Sequence, residues 1–434
     1  MFAFVILFVL LGPAVRANAI DAERPGTASD LQGKLVFAHV LYRHGDRTPV
    51  DPYPTDPWRD PKYWPTGWGQ LTNIGKRQHY ELGKWLRRRY NSLLNETYSN
   101  QEVHIQSTDV DRTLMSALSN LAGMFPPKGK DIWNEGLAWQ PIPIHTIPEN
   151  EDSILANKKP CPAYKYALSK LLHTEFFQKL DKRFAPLYEY LTKMTGRKIN
   201  TLETAEKIYD TFVIEEKYNL TLPEWSKKVY PSDDLYYIAV LSFAVDTYTR
   251  PLARLKTGPL LKDILQRFQD KANNNLNPNR SLWIYSAHDT TVANLLNTLG
   301  VFELHSPPYT ACIMLEMRLI ESTPFISVFY KNTTAEPFLM SIPGCGKQCP
   351  LERMYELYND VLPGDWDAEC GMSMFSMTYE DASVTPAMNF FDYILAIVVS
   401  GSLFVFTIVL IYIGIVYYRR RQYFDYRWYM HIDS

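Results

Sequence analysis

Arg43, His44 and Arg47 stand together in the string RHGDRTP, residues 43–49, directly behind the apolar run Leu35–Tyr42. Arginine keeps its charge at any working pH, and its planar fork of donors fits the paired oxygens of phosphate or carboxylate. An oxyanion is the natural guest of such a loop. A histidine beside two fixed positive charges is held neutral, because like charges push its pKa down, and a neutral imidazole is a nucleophile. The chemistry this predicts is attack of the His44 imidazole on a phosphoryl group whose equatorial oxygens the cations hold. It requires no divalent metal. The oxygen that departs needs a proton, and Asp289, next to His288, is the available acid. Its carboxyl is protonated only at low pH unless burial raises it above the ~3.9 of a free aspartate. An acidic working range follows.

Three segments with one plan must position these groups: a short apolar strand, a charged polar loop, then a helix. The first is Leu35–Tyr42 with its Arg43-His44-Gly45 loop. In the second, EVHIQSTDVDRTLMSALSNLAGMF, Val103–Gln106 reads as strand, and Asp109 is placed to cap a helix with Arg112 in its first turn and Leu114, Ala117, Leu118 and Leu121 facing inward. In the third, LWIYSAHDTTVANLLNTLG, Leu282–Tyr285 is the strand, His288 and Asp289 form the turn, and Gly300 ends the helix. Open α/β sheets bind ligands beyond the carboxyl ends of their strands, so the three charged groups are expected to converge there. From Cys161 to about residue 275 the pattern is helical, as in GPLLKDILQRFQDK, whose Leu260, Leu261, Ile264, Leu265 and Phe268 recur at helical spacing. This reads as a helical cap, 161–275, inserted over the site. CIMLEMRL and FISVFY alternate around Glu321-Ser322-Thr323-Pro324 and predict a late hairpin at the sheet edge. The aromatic and proline-rich loop at 51–69 either lines a pocket or packs on the surface.

The chain has 434 residues, 46% of them apolar, and a formal net charge of −2, so nothing attracts nucleic acid and the cations of the first motif are a local feature. The opening MFAFVILFVLLGPAVRANA is too short to span a bilayer and ends in Ala17-Asn18-Ala19, which predicts a secretory signal, residues 1–19, despite the lack of Lys or Arg in its first residues. Tyr393–Tyr418 carries no charge, exceeds the ~20 residues a spanning helix needs, and is followed by Arg419, Arg420 and Arg421. The expectation is a single-pass membrane protein with an exported body at 20–392, a transmembrane helix at 393–418 and a cytoplasmic tail at 419–434. Sequons at Asn95, Asn219, Asn279 and Asn332 would then be open to glycosylation. Cys161, Cys312, Cys345, Cys349 and Cys370 fall on the oxidising side, and an odd number leaves one unpaired. None of their spacings fits a zinc site, and no structural metal or cofactor is expected.

RHGDRTP at 43–49, GQLTNIG at 69–75, STDVDRT at 107–113, WQPIPIHTIP at 139–148, YSAHDTT at 285–291, IPGCGKQCPLERM at 342–354 and DWDAEC at 365–370 resemble, in order, the histidine acid phosphatases. The resemblance implies a three-layer α/β sheet domain of the phosphoglycerate mutase-like histidine phosphatase fold with an α-helical cap, and acid hydrolysis of phosphate monoesters through a phosphohistidine. It also implies a possible homodimer. Carried over residue by residue, His44 is the nucleophile, Asp289 the proton donor, and Arg43, Arg47, Arg112 and His288 the phosphate-holding set. It pairs Cys161 with Cys370 and Cys345 with Cys349. Cys312 is left without its partner, since the matching position is Ile214. YMHI at Tyr429–Ile432 resembles a tyrosine-based sorting signal that an adaptor would read, with a membrane-interface anchor as the other reading. These features set lysosomal membrane and lumen against the cell surface as destinations.

Two rivals share parts of this pattern. An inositol-polyphosphate phosphatase would want a strongly basic cap, whereas 161–275 mixes Lys and Arg with Asp and Glu. An inactive phosphatase-like receptor or adhesion ectodomain has no need to keep every charged member of the site, and none is missing. A cytosolic phosphoglycerate mutase-like transferase does not suit an exported chain.

Overall fold

The computed structural model describes residues 31–371 and the single position 415. The expected signal at 1–19, the expected anchor at 393–418 apart from Ile415, and the expected tail with Tyr429–Ile432 lie outside the described residues. No helix among the described residues is long and apolar enough to cross a membrane.

The chain runs through β1 (Lys34–Arg43), α1 (Asn73–Arg89), β2 (Val103–Thr108), α2 (Asp111–Met124), β3 (His145–Ile147), α3 (Pro162–Leu172), α4 (Glu175–Thr195), α5 (Leu202–Lys217), α6 (Asp233–Val245), α7 (Arg250–Lys256) and α8 (Gly258–Ala272). It continues with β4 (Leu282–Ala287), α9 (Asp289–Thr298), β5 (Cys312–Ile320), β6 (Thr323–Lys331), β7 (Phe338–Met340), β8 (Cys349–Pro350), α10 (Leu351–Tyr358) and α11 (Trp366–Glu369). The strands form one sheet in the order β3-β2-β4-β1-β5-β6-β7, with β8 also on β6. β3, β2, β4 and β1 are parallel, and the remainder is antiparallel. Strand β1 reads as a continuous apolar run because both of its faces are covered. Phe37 and Leu41 pack with residues of α8, α9 and α10, while Ala38, Val40 and Tyr42 pack with α1 and α2.

Three sequence expectations need correction. Asp109 does not cap α2; the N-cap is Val110, without a side-chain bond. Ala117 and Leu121 do face inward, but with Thr113 and Met124, and Leu118 is 40% exposed. The reason is the tight α1–α2 contact: a Cβ on Gly83 would lie 1.9 Å from the Asn120 carbonyl oxygen and one on Gly123 2.1 Å from that of Tyr80. That approach turns the Asn120–Gly123 side inward and Leu118 outward. The hairpin forms, with Glu321 and Ser322 at φ 49° and 73° as its two-residue turn. It is not the edge, because β7 and β8 cover the outer side of β6.

The third correction concerns the cap. Residues on α3 to α7, among them Phe177, Phe184, Leu191, Phe212, Leu235, Ile238 and Leu252, enclose a core of their own. Helix α8 does not join it. Its Leu260, Leu261, Ile264, Leu265 and Phe268 pack on the sheet, with the Phe268 ring 5.6 Å from that of Phe37. Helical spacing shows that a helix has an apolar stripe, not which core the stripe meets. The loop at 51–69 packs: Tyr53 is buried in the cap core, and Trp64 is buried with its ring 5.3 Å from Tyr218.

Cys161 is bonded to Cys370, closing the cap's entrance on the end of the described body, and Cys345 is bonded to Cys349. Asn95, Asn219 and Asn279 are exposed, and Asn332 is half-buried. Cys312 is free and buried at the start of β5, and burial pushes its thiol up to about 12. Ile214 is buried on α5. Thiol labelling of the native protein should therefore be slow, and denaturation without reductant should release one reactive cysteine per chain. Rapid native labelling, or two thiols after denaturation, would contradict this assignment.

Candidate active site

The site grows from the carboxyl ends of β1, β2 and β4. The β1–β4 register sets Arg43 beside Ala287, so the next residue of each strand, His44 and His288, enters the same space. The His44 N–H donates to Ala287 O at 3.0 Å, and the Thr310 N–H donates to His44 O at 3.2 Å. The loop after His44 lies directly on the first turn of α1. A Cβ on Gly45 would sit 2.5 Å from Gly75 O, and one on Gly75 2.4 Å from Asp46 O. Thr72, the N-cap of α1, donates its N–H to Asp46 O at 3.0 Å and its hydroxyl to Asp46 Oδ2 at 2.6 Å. These contacts explain the GQLTNIG string: it is the floor under the loop that carries His44.

His44 Nδ1 lies 2.8 Å from Gly45 O, a pure acceptor, so Nδ1 carries the proton. Nε2 then presents its lone pair, makes no hydrogen bond among the described residues, and faces the cavity. Burial first, then Arg43, Arg112 and Arg47, hold the imidazole pKa well below its ordinary value. The arginines have structured surroundings. Arg43 pairs with Asp289 at 2.7 Å, donates to Pro307 O at 2.5 Å, and lies 4.3 Å over the Tyr309 ring. Arg47 pairs with Asp210 of α5 at 3.0 Å. Each of Arg43, Arg47 and Arg112 keeps a buried Nε–H without an acceptor among the described residues.

His288 stands between Arg112 and β2. Its Nδ1 accepts from Arg112 Nη2 at 3.3 Å, and its Nε2–H donates to Thr108 Oγ1 at 3.0 Å. Both ring nitrogens are thus used in orienting Arg112. Burial and the Arg112 charge push His288 down to about 3. Asp289, expected to be raised by burial, is instead lowered: burial pushes it up, but Arg43 and Arg47 more than offset this. It also accepts the Thr290 N–H at 2.8 Å, at the start of α9, where the helix dipole favours an anion. Asp289 is therefore ionised when it is paired with Arg43.

His44, Arg47, Arg112, His288 and Asp289 line one cavity of about 820 Å³ roofed by the cap. Arg43 stands behind it, joined to Asp289. Sequence reasoning missed the cap's share. Asp210 and Glu206 are one turn apart on α5, a spacing indistinguishable from a solvated helix face, and both line the cavity. Burial, Asp210 and Asp289 push Glu206 up to about 8. Lys217 and Tyr218, at the end of α5, hold Asp46, the tyrosine hydroxyl at 2.6 Å from Oδ2. Nothing local marks them, since their meaning depends on a partner more than 170 residues away.

The profile of the histidine phosphatase superfamily (branch 2) matches residues 34–331. The chain belongs to this family. It is 40% identical to the prostatic acid phosphatase of Homo sapiens over 360 residues, covering 82% of this chain and 92% of that one. It is 39% identical to the lysosomal acid phosphatase of Homo sapiens over 348 residues, covering 78% and 81%. Among solved structures, the Hafnia alvei phytase in complex with myo-inositol hexakis sulphate superposes with a TM-score of 0.59 at 17% identity, covering 77% of this chain and 98% of that one. That likeness shows the fold.

In this histidine phosphatase the Gly45–Gly75 approach leaves no room for a side chain. Gly75→Ala should destabilise by about 1–3 kcal/mol through overpacking and lower kcat by displacing His44. Gly136→Ala, where the added carbon would meet only Asn134 at 3.6 Å, should stay within about 0.5 kcal/mol. Chemical denaturation and steady-state kinetics read both, and equal effects at the two positions would contradict the packing account.

Proposed function

We propose that this chain hydrolyses phosphate monoesters at acidic pH through a phosphohistidine on His44. The observation that carries the reading is an unencumbered His44 Nε2 lone pair, its ring fixed by the Nδ1–H bond to Gly45 O, among three arginines with unpaired donors. Arg43, Arg47 and Arg112 take the phosphoryl oxygens. The His44 N–P bond forms as the bond to the leaving oxygen breaks, and Asp289 gives that oxygen its proton. Asp289, now ionised, takes a proton from the water that attacks the phosphohistidine, releasing inorganic phosphate and restoring both residues.

The ion pair with Arg43 means that Asp289 acquires its proton in the complex. An incoming phosphate competes for Arg43 and adds negative charge beside the carboxylate, and both effects raise its pKa. Below about pH 6 the substrate's own phosphate is largely a monoanion, which can supply that proton. The acid range thus belongs to the loaded site. The leaving group faces a wall of Leu155, Leu168, Leu172, Phe177, Phe243 and Val245 mixed with acids, which suits varied monoesters better than an inositol carrying many phosphates.

Acid quench with labelled substrate should trap phosphohistidine, and His44→Ala should lose about 10³-fold or more in kcat. Label on serine or cysteine would sink the mechanism. Asp289→Asn should slow alkyl phosphates more than aryl phosphates, whose leaving oxygens need less protonation. Because it frees the Arg43 fork, the same variant should bind inorganic phosphate more tightly, by roughly 3–10-fold. Equal losses on both substrate classes with unchanged phosphate inhibition would remove Asp289 from this role.

We further propose a single-pass topology with the catalytic body in the lumen, anchored by 393–418, in a lysosomal or other membrane-associated setting. The charge-free run and its triple-arginine flank support the anchor, and the lysosomal relatives support the setting. The homodimer and the adaptor at Tyr429–Ile432 are parts of the same reading. Alkaline extraction of membranes should leave the full chain in the pellet and release a chain ended at residue 392, and Tyr429→Ala should move protein toward the cell surface. A full chain that washes off would overturn the anchor.

A further inference from the structure

Away from the cavity, a second pair of carboxyl groups takes no part in the chemistry above. Glu215 lies in the last turn of α5, and Asp56 in the loop that follows the catalytic motif; they are 0% and 3% exposed. Asp56 Oδ1 accepts the Trp58 N–H at 2.7 Å. Asp56 Oδ2 and both Glu215 oxygens meet no donor among the described residues, although the two side chains are within hydrogen-bonding reach of each other. Two carboxylates have no proton to give. Their contact is repulsive when both are ionised and bonding when they hold one proton between them.

The surroundings do little to favour two charges. The loop presents the buried Tyr53, whose hydroxyl is also unpartnered, and Arg59, whose pull on Asp56 is the weakest of the influences on it and whose Nη1 donates to Pro54 O at 2.8 Å. From the cap side, Phe212 and Trp225 close the space with rings 6.1 and 6.0 Å from that of Tyr53. Helix α5 is also the element that presents Asp210 to Arg47 and Lys217 to Asp46. The pair therefore sits where the cap is fastened to the chain leaving the catalytic loop.

We infer that Asp56 and Glu215 are a positioning pair that fastens α5 to the catalytic loop through one shared proton, a fastening that is firm in acid and loosens as the proton is lost. Burial, with Asp56 beside it, pushes Glu215 up to about 9, and burial raises Asp56 as well. The folded chain keeps a proton that an unfolded glutamate releases near its ordinary ~4.3. The contribution to stability is then complete below that value and falls as pH rises toward 9. The consequence for activity rests on the phosphatase reading; the shared proton does not.

The test compares the melting temperature and kcat/KM of the full chain across pH 5–8.5 with those of Glu215→Gln and Asp56→Asn. An amide donates to the remaining carboxylate without titrating. Relative to Glu215→Gln, the wild-type melting temperature should fall by about 2 °C per pH unit, leaving the variant the more stable protein at pH 8. The ratio of variant to wild-type kcat/KM should stay level through the acid range and rise only above about pH 8, where the folded pair begins to give up its proton. Parallel melting curves, or a glutamine variant less stable than wild type at pH 8, would overturn the inference. If Glu215→Gln does not fold, Asp56→Asn, expected to flatten the curve in the same way, decides. Should no protein turn over any phosphate monoester, the phosphatase reading fails and the melting curves still judge the pair.

Discussion

The structure is organised around keeping an uncharged imidazole among three guanidinium groups. Arg43, Arg47 and Arg112 repel one another, and little bulk water reaches them to screen the repulsion. Each is therefore anchored by something else: Arg43 by Asp289 and the Pro307 carbonyl, Arg47 by Asp210, Arg112 by His288. These anchors come from the end of β4, α9, α5 and the loop before β5, which is why a seven-residue motif at the end of one strand requires the whole sheet and the cap. Burial and the same charges act on His44 in one direction, so its imidazole needs no general base to free its lone pair.

The cap roofs the cavity and also takes part in the electrostatics around His44. Asp210 offsets one arginine, and Lys217 with Tyr218 grips Asp46 in the middle of the catalytic string. All three lie at the C-terminal half of α5 or just beyond it. A displacement of that helix would therefore alter the charge balance around His44 before it altered the shape of the pocket. This coupling places a premium on how α5 is fastened, and the fastening uses Asp56, from the chain that leaves the catalytic loop.

The sheet and the chemistry-bearing loops were legible because they depend on local pattern. Leu35–Tyr42 is apolar on both faces, which only a doubly covered strand tolerates, and His44, Arg112 and His288 each follow a strand. The errors arose where a choice depended on a remote partner. Leu118 carries an inward-looking apolar signature, yet Gly83 and Gly123 decide the rotation of α2. Helix α8 looks like every other cap helix until Phe37 meets it. Asp289 offered the clearest case: burial alone would raise it, and only the distance to Arg43 shows that it is lowered. Cysteine pairing stayed a matter of resemblance for the same reason, since Cys161 and Cys370 are 209 residues apart.

Likeness of fold does not carry likeness of substrate, because much of the cavity lining lies on the cap. The lysines of this wall are largely neutralised where they stand, Lys207 by Glu203 at 2.8 Å and Lys256 by Asp246 at 3.2 Å, and among the described residues only Lys158 of the wall's lysines lacks a carboxylate partner. A second phosphate on the substrate would share this wall with Glu206, Asp210 and Asp181. A bidentate cation is what such a group requires to leave water. The surroundings of His44 are thus strongly cationic, while the rest of the cavity wall is apolar and acidic. That contrast favours one phosphate per substrate.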